Sequence, residues 1–488
     1  MFLVFSIVLA VLAVVCHSNN TIDENGLLVI EKDTTIITAE DGYTQDASLV
    51  TVVIPSSVVT IGKQAFFGCQ ALKNVTFVNP NGALTTIGDY AFGNTAIVSI
   101  KLTSQLKTIG SNAFYQNDYL ELVEFAQGSG DFTSIGDYAF AESSIANFSL
   151  PASTQSIGIG FFSNTANLID FVFVENSGED VNAPGLTEIG EEAFMMSGLI
   201  GPLEIPNTLN TLGKKAFFGC ASLKILQFKP TSILEVISDS AFSQTGLTNV
   251  MIPNSVKKID INAFTGLDGN TTHSGTSPLK TVAFEQGSQL TSIGSQAFQN
   301  NGKLEIMNIP ASVETIHANA FSETRSLSKV TFQSPSALSS IESSAFMHSG
   351  LIGELELPNN IVSIGSNSFS FNLKLTKVVF DCGSSVTINS DAFSQTGVTS
   401  MILPMGSICN DCIDDQRVIR YACQPTFSPT RAADKDAPTM HPTPIFTPPP
   451  GDAPTNGKED NEGSGKGSPD DGDGSSSPTG AIVGIFFG

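Results

Sequence analysis

The sequence predicts an α/β solenoid: one elongated horseshoe with about 15 short parallel strands on its concave face and short helical or 3₁₀ turns on its convex face. Three observations point there. A phrase of the form Leu-x-x-Val-x-Ile-Pro, a few polar residues, then Ile-Gly-x-x-Ala-Phe recurs between Leu49 and Leu403. Its closing aromatic falls at Phe66, Phe92, Phe114, Phe140, Phe162, Phe194, Phe217, Phe242, Phe264, Phe298, Phe321, Phe346, Phe369 and Phe393, giving 14 copies at intervals of 22 to 34 residues. The aromatic composition, 34 Phe with 6 Tyr and no Trp, is a skew that repetition produces. A chain of 488 residues would otherwise divide into about three globular domains. A unit of this period cannot bury its own apolar face, so the copies must stack into one body.

The chain is punctuated in order. Residues 1–18 are nearly all apolar up to Cys16 and read as a secretory signal, although no Lys or Arg precedes them and a buried first strand competes. Residues 19–48 precede the first copy and should cap the stack. Residues 49–403 are the solenoid, and 404–424 form a Cys-containing C-terminal cap. Residues 425–480 turn Pro/Ser/Thr-rich and then Gly/Ser/Asp-rich, the composition of an extended stalk that cannot bury enough surface to fold. Residues 481–488 are apolar again. They read as the start of a C-terminal membrane anchor, with a short secreted tail or a lipid-anchor signal as alternatives.

Within a copy the parity is plain. Val75 and Phe77 share one side of a strand while Asn74 and Thr76 share the other. Leu72 enters the core from the turn before the strand. Ile87, Ala91 and Phe92 point inward from the far side, where Gly88 is expected to permit a tight bend. Prolines at 55, 151, 206, 253, 310, 358 and 404 mark strand ends, where no further amide donor is needed. Stacked Phe residues from successive copies should form a continuous aromatic spine. The asymmetry of the copy favours a one-sided horseshoe over a parallel β-helix. Two stretched intervals carry insertions, centred on residues 175–184 and 266–276.

The phrases IPSSVVTIGKQAFFGCQALKNVTF (54–77) and IPNTLNTLGKKAFFGCASLKILQF (205–228) resemble the leucine-rich repeats of BspA-like surface proteins. The resemblance implies an extracellular, usually cell-surface protein with binding or adhesion roles and no catalytic residues. The Ser/Thr/Pro stalk, with PTFSPT at 425–430, is similar to those of surface proteins of eukaryotic microbes such as algae. A wall or matrix component without a specific ligand is the first alternative, and the ectodomain of a single-pass receptor is the second.

Of 7 Cys, Cys16 should leave with the signal, and Cys69 and Cys220 occupy equivalent places as buried free thiols. Cys382, Cys409, Cys412 and Cys423 suit a disulfide-pinned cap whose pairing the sequence leaves open; a zinc site or a redox pair at Cys409-x-x-Cys412 is the rival. Sequons for N-glycosylation stand at Asn19, Asn74, Asn147 and Asn270. His317 and His348 have no acidic or Cys partner at ligand spacing, so no catalytic, cofactor or metal site is expected. The acidic insertion with Glu175, Glu179 and Asp180 could at most hold calcium. With 23 basic against 47 acidic side chains the net charge is −24, which disfavours nucleic acid and anionic membranes as partners. An extracellular protein or a polysaccharide matrix is the expected partner.

Overall fold

The computed structural model describes residues 21–127, 131–174, 185–267, 277–381, 383, 385–410 and 418–421. The chain up to Gln424 is one unit; the second, Pro425–Gly488, lies outside the described residues, as do the expected signal and the cores of both insertions. Each coil contributes two strands. Among the described residues 17 longer strands run from Leu27–Val29 to Val418–Tyr421, and 16 two-residue strands run from Ile36–Ile37 to Ile408–Cys409. Strands among the described residues pair in parallel, with coils in register, as in Val52 beside Val75 and Ile61 beside Ile87. The fifteen longer strands from Thr51–Ile54 to Ser400–Pro404 are those expected from the repeats. One further coil precedes them in Leu27–Val29 and Ile36–Ile37, and Val418–Tyr421 follows them.

The expected helical turns are absent from the Ile-Gly-x-x-Ala-Phe segments. The single helix among the described residues is the 3₁₀ turn Ala39–Asp41. Two physical causes exclude helix in the repeats. The residue two before each spine Phe has positive φ, as at Gln64 (58°), Tyr90 (55°) and Asn112 (57°), a conformation no right-handed helix contains. The turn's amides also bond sideways: Gln64 donates to Asp89, Phe66 to Ala91 (2.8 Å) and Gly68 to Gly93. The turn backbone is therefore satisfied alternately by the next coil and by its own tight turns, with Ala65 donating to Gly62, Phe67 to Gln64 and Cys69 to Phe66, and no run of helical bonds forms. The described body is a parallel β-solenoid.

Gly88 also has a different task from the one expected. Its φ is ordinary, but a Cβ there would lie 2.8 Å from the carbonyl carbon of Gly62, and one on Gly136 would lie 2.5 Å from the Ser111 nitrogen. The glycine lets successive backbones touch. The prolines act as read: each closes a long strand, and its carbonyl then accepts the amide three residues on, as Val58 to Pro55 (3.3 Å) and Val256 to Pro253 (3.2 Å).

The core is a set of columns along the stack. The spine runs from Tyr43 through Phe66, Phe92 and Phe114 to Phe393, with rings stacked at 5.0 Å between Phe194 and Phe217 and 5.3 Å between Phe298 and Phe321. Offset-stacked pairs at such distances add about 0.5–1.5 kcal/mol each beyond burial. The spine loosens once, where Phe161 takes the usual Ala place. There Phe162 and Phe194 stand 6.1 Å apart and tilted by 32°, with Phe148 and Phe171 packed edge-on around them.

Candidate functional site

Beside the aromatic spine lies a second column that sequence reading missed. The residue three after the spine Phe is polar in all copies but one, and Thr95, Asn117, Thr165, Thr324 and Asn372 are buried there. They serve the spine's own carbonyls. Thr324 Oγ1 donates to Phe321 O (2.7 Å), and Asn372 Nδ2 donates to Phe346 O and Phe369 O (both 2.8 Å). Asn372 Oδ1 accepts from the amides of Gly350 and Leu351 at 2.9 and 3.0 Å. The signal was present in the repeats: 13 of 14 copies carry Cys, Ser, Thr or Asn three places after the Phe. At the remaining copy, Leu267, Ser277 takes over and donates to Asn301 Oδ1 (2.5 Å).

Cys69 and Cys220 belong to this column. Both are fully buried and unpaired, as expected, but they are hydrogen-bonding members and not merely small apolar fillers. Cys69 Sγ donates to Tyr43 O (2.8 Å) and Cys220 Sγ to Phe194 O (3.0 Å). Burial pushes the Cys69 thiol up to about 11 and the Cys220 thiol up to about 12. At pH 8 neither should react with iodoacetamide until guanidinium unfolds the chain; labelling of native protein at either position would contradict this arrangement. Because the folded state keeps protons that the unfolded chain releases above the ordinary thiol value of 9.0, this part of the stability is present below pH 9 and is lost as pH rises toward the folded values.

The outward face of the long-strand ladder carries the residues expected there. Asn74 and Asn147 are both exposed at the first position of their strands, and Asn74 Nδ2 donates to Thr51 Oγ1 (3.3 Å) on the neighbouring coil. Exposed aliphatic side chains are spread along it, among them Leu122, Ile225, Met251 and Ile306. Ion pairs bridge coils between Lys377 and Glu354 (2.8 Å) and between Lys101 and Glu124 (4.0 Å). Such exposed pairs contribute about 0–1 kcal/mol. Asn19 and Asn270 lie outside the described residues. Cys409 ends the strand Ile408–Cys409, while Cys382, Cys412 and Cys423 lie outside the described residues.

One arrangement corrects the reading of the histidines. Where His317 and Glu342 replace the usual Gly on successive coils, His317 Nδ1 meets Glu342 Oε1 at 3.0 Å and Nε2 meets Ser292 Oγ at 3.1 Å. Partners 25 residues away in sequence become neighbours because they are one coil apart. The order of contacts is that of a hydrolase triad, but the surroundings differ. The amides flanking Ser292, at Thr291 and Gly294, are bonded to the carbonyls of Lys257 and Ile259 rather than turned toward its hydroxyl. Those two amides are committed to the ladder and do not face an oxyanion at Ser292. Glu342 Oε2 instead accepts the Ala318 amide (3.0 Å), so the group acts as a clamp between coils. A fluorophosphonate probe should leave Ser292 unlabelled; stoichiometric labelling would show a working nucleophile. His348 stacks on Phe371 at 4.3 Å.

Among the described residues no three His, Cys, Asp or Glu gather as a metal site would require, and no helix is long and apolar enough to cross a membrane. The BspA type leucine-rich repeat region matches in six copies over residues 38–169, 187–292 and 291–418. None of the curated proteins compared matches the chain. Among solved structures, a leucine-rich repeat protein from Bacteroides ovatus is 18% identical, covering 82% of this chain and 97% of its own, with TM-score 0.49. The pneumococcal vaccine antigen PcpA is 20% identical over 82% of this chain and 89% of its own, with TM-score 0.40. A leucine-rich cell surface protein from Faecalibacterium prausnitzii is 17% identical over 66% and 96%, with TM-score 0.32. With the repeat spanning most of its length and each copy built as described, the chain belongs to the BspA-type leucine-rich repeat family.

Proposed function

We propose that the protein is an extracellular, cell-surface binding or adhesion molecule whose solenoid is a non-catalytic scaffold. The observation that carries this reading is the long-strand face, where side chains of successive coils stand in register and open to solvent, as Thr51 beside Asn74 and Asn249 beside Thr281. Such a face offers many weak, repeated contacts, whose effect multiplies when a ligand spans several coils. Secretion through residues 1–18, glycans on Asn19, Asn74, Asn147 and Asn270, and a cap pinned by Cys382, Cys409, Cys412 and Cys423 belong to the same proposal. So does a one-sided horseshoe curvature, which solution scattering would distinguish from a straight rod.

The test is saturable binding of the secreted full chain to immobilised matrix proteins and polysaccharides. Charge insertion at Ile225→Asp together with Met251→Asp, both on exposed positions, should weaken binding through this face while leaving the fold intact. Absence of saturable binding to any surface would point to a bulk wall or matrix role instead.

A further inference from the structure

The turn face of the first coils differs from the rest of the stack. Four of the six tyrosines, Tyr90, Tyr115, Tyr119 and Tyr138, fall between residues 90 and 138. On successive coils, Phe67, Tyr90, Tyr115 and Tyr138 take in turn the place one after the spine Phe and the place two before it, and all four are half-buried. They form a zigzag along the stack. Phe67 meets Tyr90 edge-on at 5.7 Å, and its ring lies against Gly93. The Tyr138 ring occupies the space where a side chain on Gly160 would be. Farther along, apart from Phe218, the same places carry residues such as Glu192, Lys215, Ser240 and Ser243.

Polar groups frame these rings. Tyr115 Oη donates to Glu142 Oε1 (3.2 Å), and Gln116 Nε2 donates to Glu142 Oε2 (2.9 Å). Partial burial, and then Glu142, push the Tyr115 phenol above its ordinary value; burial, and then Glu192 and Asp137, do the same at Tyr138. Both hydroxyls therefore stay protonated and able to donate.

We propose that this stripe is a platform for a neutral, extended polysaccharide lying along the stack, with its sugar rings against Phe67, Tyr90, Tyr115 and Tyr138. The inference goes beyond the binding reading: it adds a contact on the turn face, separate from the long-strand face. Three features select this occupant. A pyranose ring has an apolar face and a polar rim, and the stripe pairs aromatic surface with amide, hydroxyl and carboxylate groups in the same turns. The coils repeat every ~4.8 Å along the stack, close to the advance of one residue in an extended β-1,4-linked chain, whose sugar rings alternate in orientation and can meet the alternating aromatic rings in turn. The acidic side chains in and beside these turns, Asp89, Asp137, Glu142, Glu191 and Glu192, repel an anionic polymer and leave hydroxyl-rich neutral chains unopposed.

The experiment is native affinity electrophoresis of the full chain in gels containing laminarin, hydroxyethyl cellulose or, as the anionic comparison, alginate. Retardation is expected from at least one neutral glucan and not from alginate. The Tyr90→Ala/Tyr138→Ala double variant should bind that glucan about tenfold more weakly, with its thermal midpoint checked separately. Ile261→Asp, at an exposed turn residue farther along the stack, should bind it as well as the unaltered chain. Equal retardation of the tyrosine variant, or preference for alginate, would overturn the platform. Loss of glucan binding only in the Ile225/Met251 variant would also overturn it while sparing the binding reading, and no saturable binding to any matrix would sink both.

Discussion

Phe298→Ala is expected to cost about 3–5 kcal/mol, as large a loss as a single side chain of the spine can give. Phe298 is fully buried and stacks on Phe264 and Phe321, at 5.3 Å on either side. Truncation removes the transfer energy of a ring and leaves a gap that the rigid neighbouring coils cannot close. In a solenoid each coil contacts only its neighbours, so the damage should also divide the stack. Guanidinium unfolding followed by circular dichroism should turn from one transition into two, and hydrogen exchange should quicken first around Phe264 and Phe321. A small, uniform loss with one transition would mean that the spine is not what couples the coils. The same truncation at Phe162, where the column is already tilted and edge-on rings can shift, should divide the stack less.

Asn372→Ala is the second large effect, expected at about 3 kcal/mol, because buried groups left without partners cost about 1–3 kcal/mol each. The side chain donates to two spine carbonyls and accepts from the Gly350 and Leu351 amides, with 1% exposure, so water cannot replace it. Thr324→Val is the matched comparison. It keeps shape and volume and deletes one bond, Thr324 Oγ1 to Phe321 O, so it should cost about 1 kcal/mol. Denaturant midpoints of the two variants decide the matter. If Thr324→Val costs nothing while Asn372→Ala still destabilises, the column contributes by filling space and not by satisfying the spine's carbonyls. Cys220→Ser should be tolerated, since a hydroxyl can donate to Phe194 O in place of the thiol.

The alternation of Val75 and Phe77 against Asn74 and Thr76 was legible because a strand's period of two leaves no freedom once one face is apolar. The fifteen strands, the proline stops and the aromatic spine followed from the same regularity. The polar column was equally regular, but Cys, Ser, Thr and Asn do not read as one class until burial shows their shared task. Among the candidate contacts, Asn74 and Asn147 could be placed outward from parity alone. The Ser292–His317–Glu342 clamp could not, because its members belong to three different coils and its distances depend on how those coils stack.

By itself the sequence determined the stacking unit, the inward residues and the family, because a recurring apolar pattern admits only one way of being buried. The tertiary structure decided what the turns are. Whether Ile-Gly-x-x-Ala-Phe closes as a helical turn or as a ladder depends on whether its amides find carbonyls four residues back or one coil away. The neighbouring coil supplies them at Asp89, Ala91 and Gly93 for Gln64, Phe66 and Gly68. That choice brings successive turns to the spacing of a parallel ladder, and it aligns Phe67, Tyr90, Tyr115 and Tyr138 into one stripe.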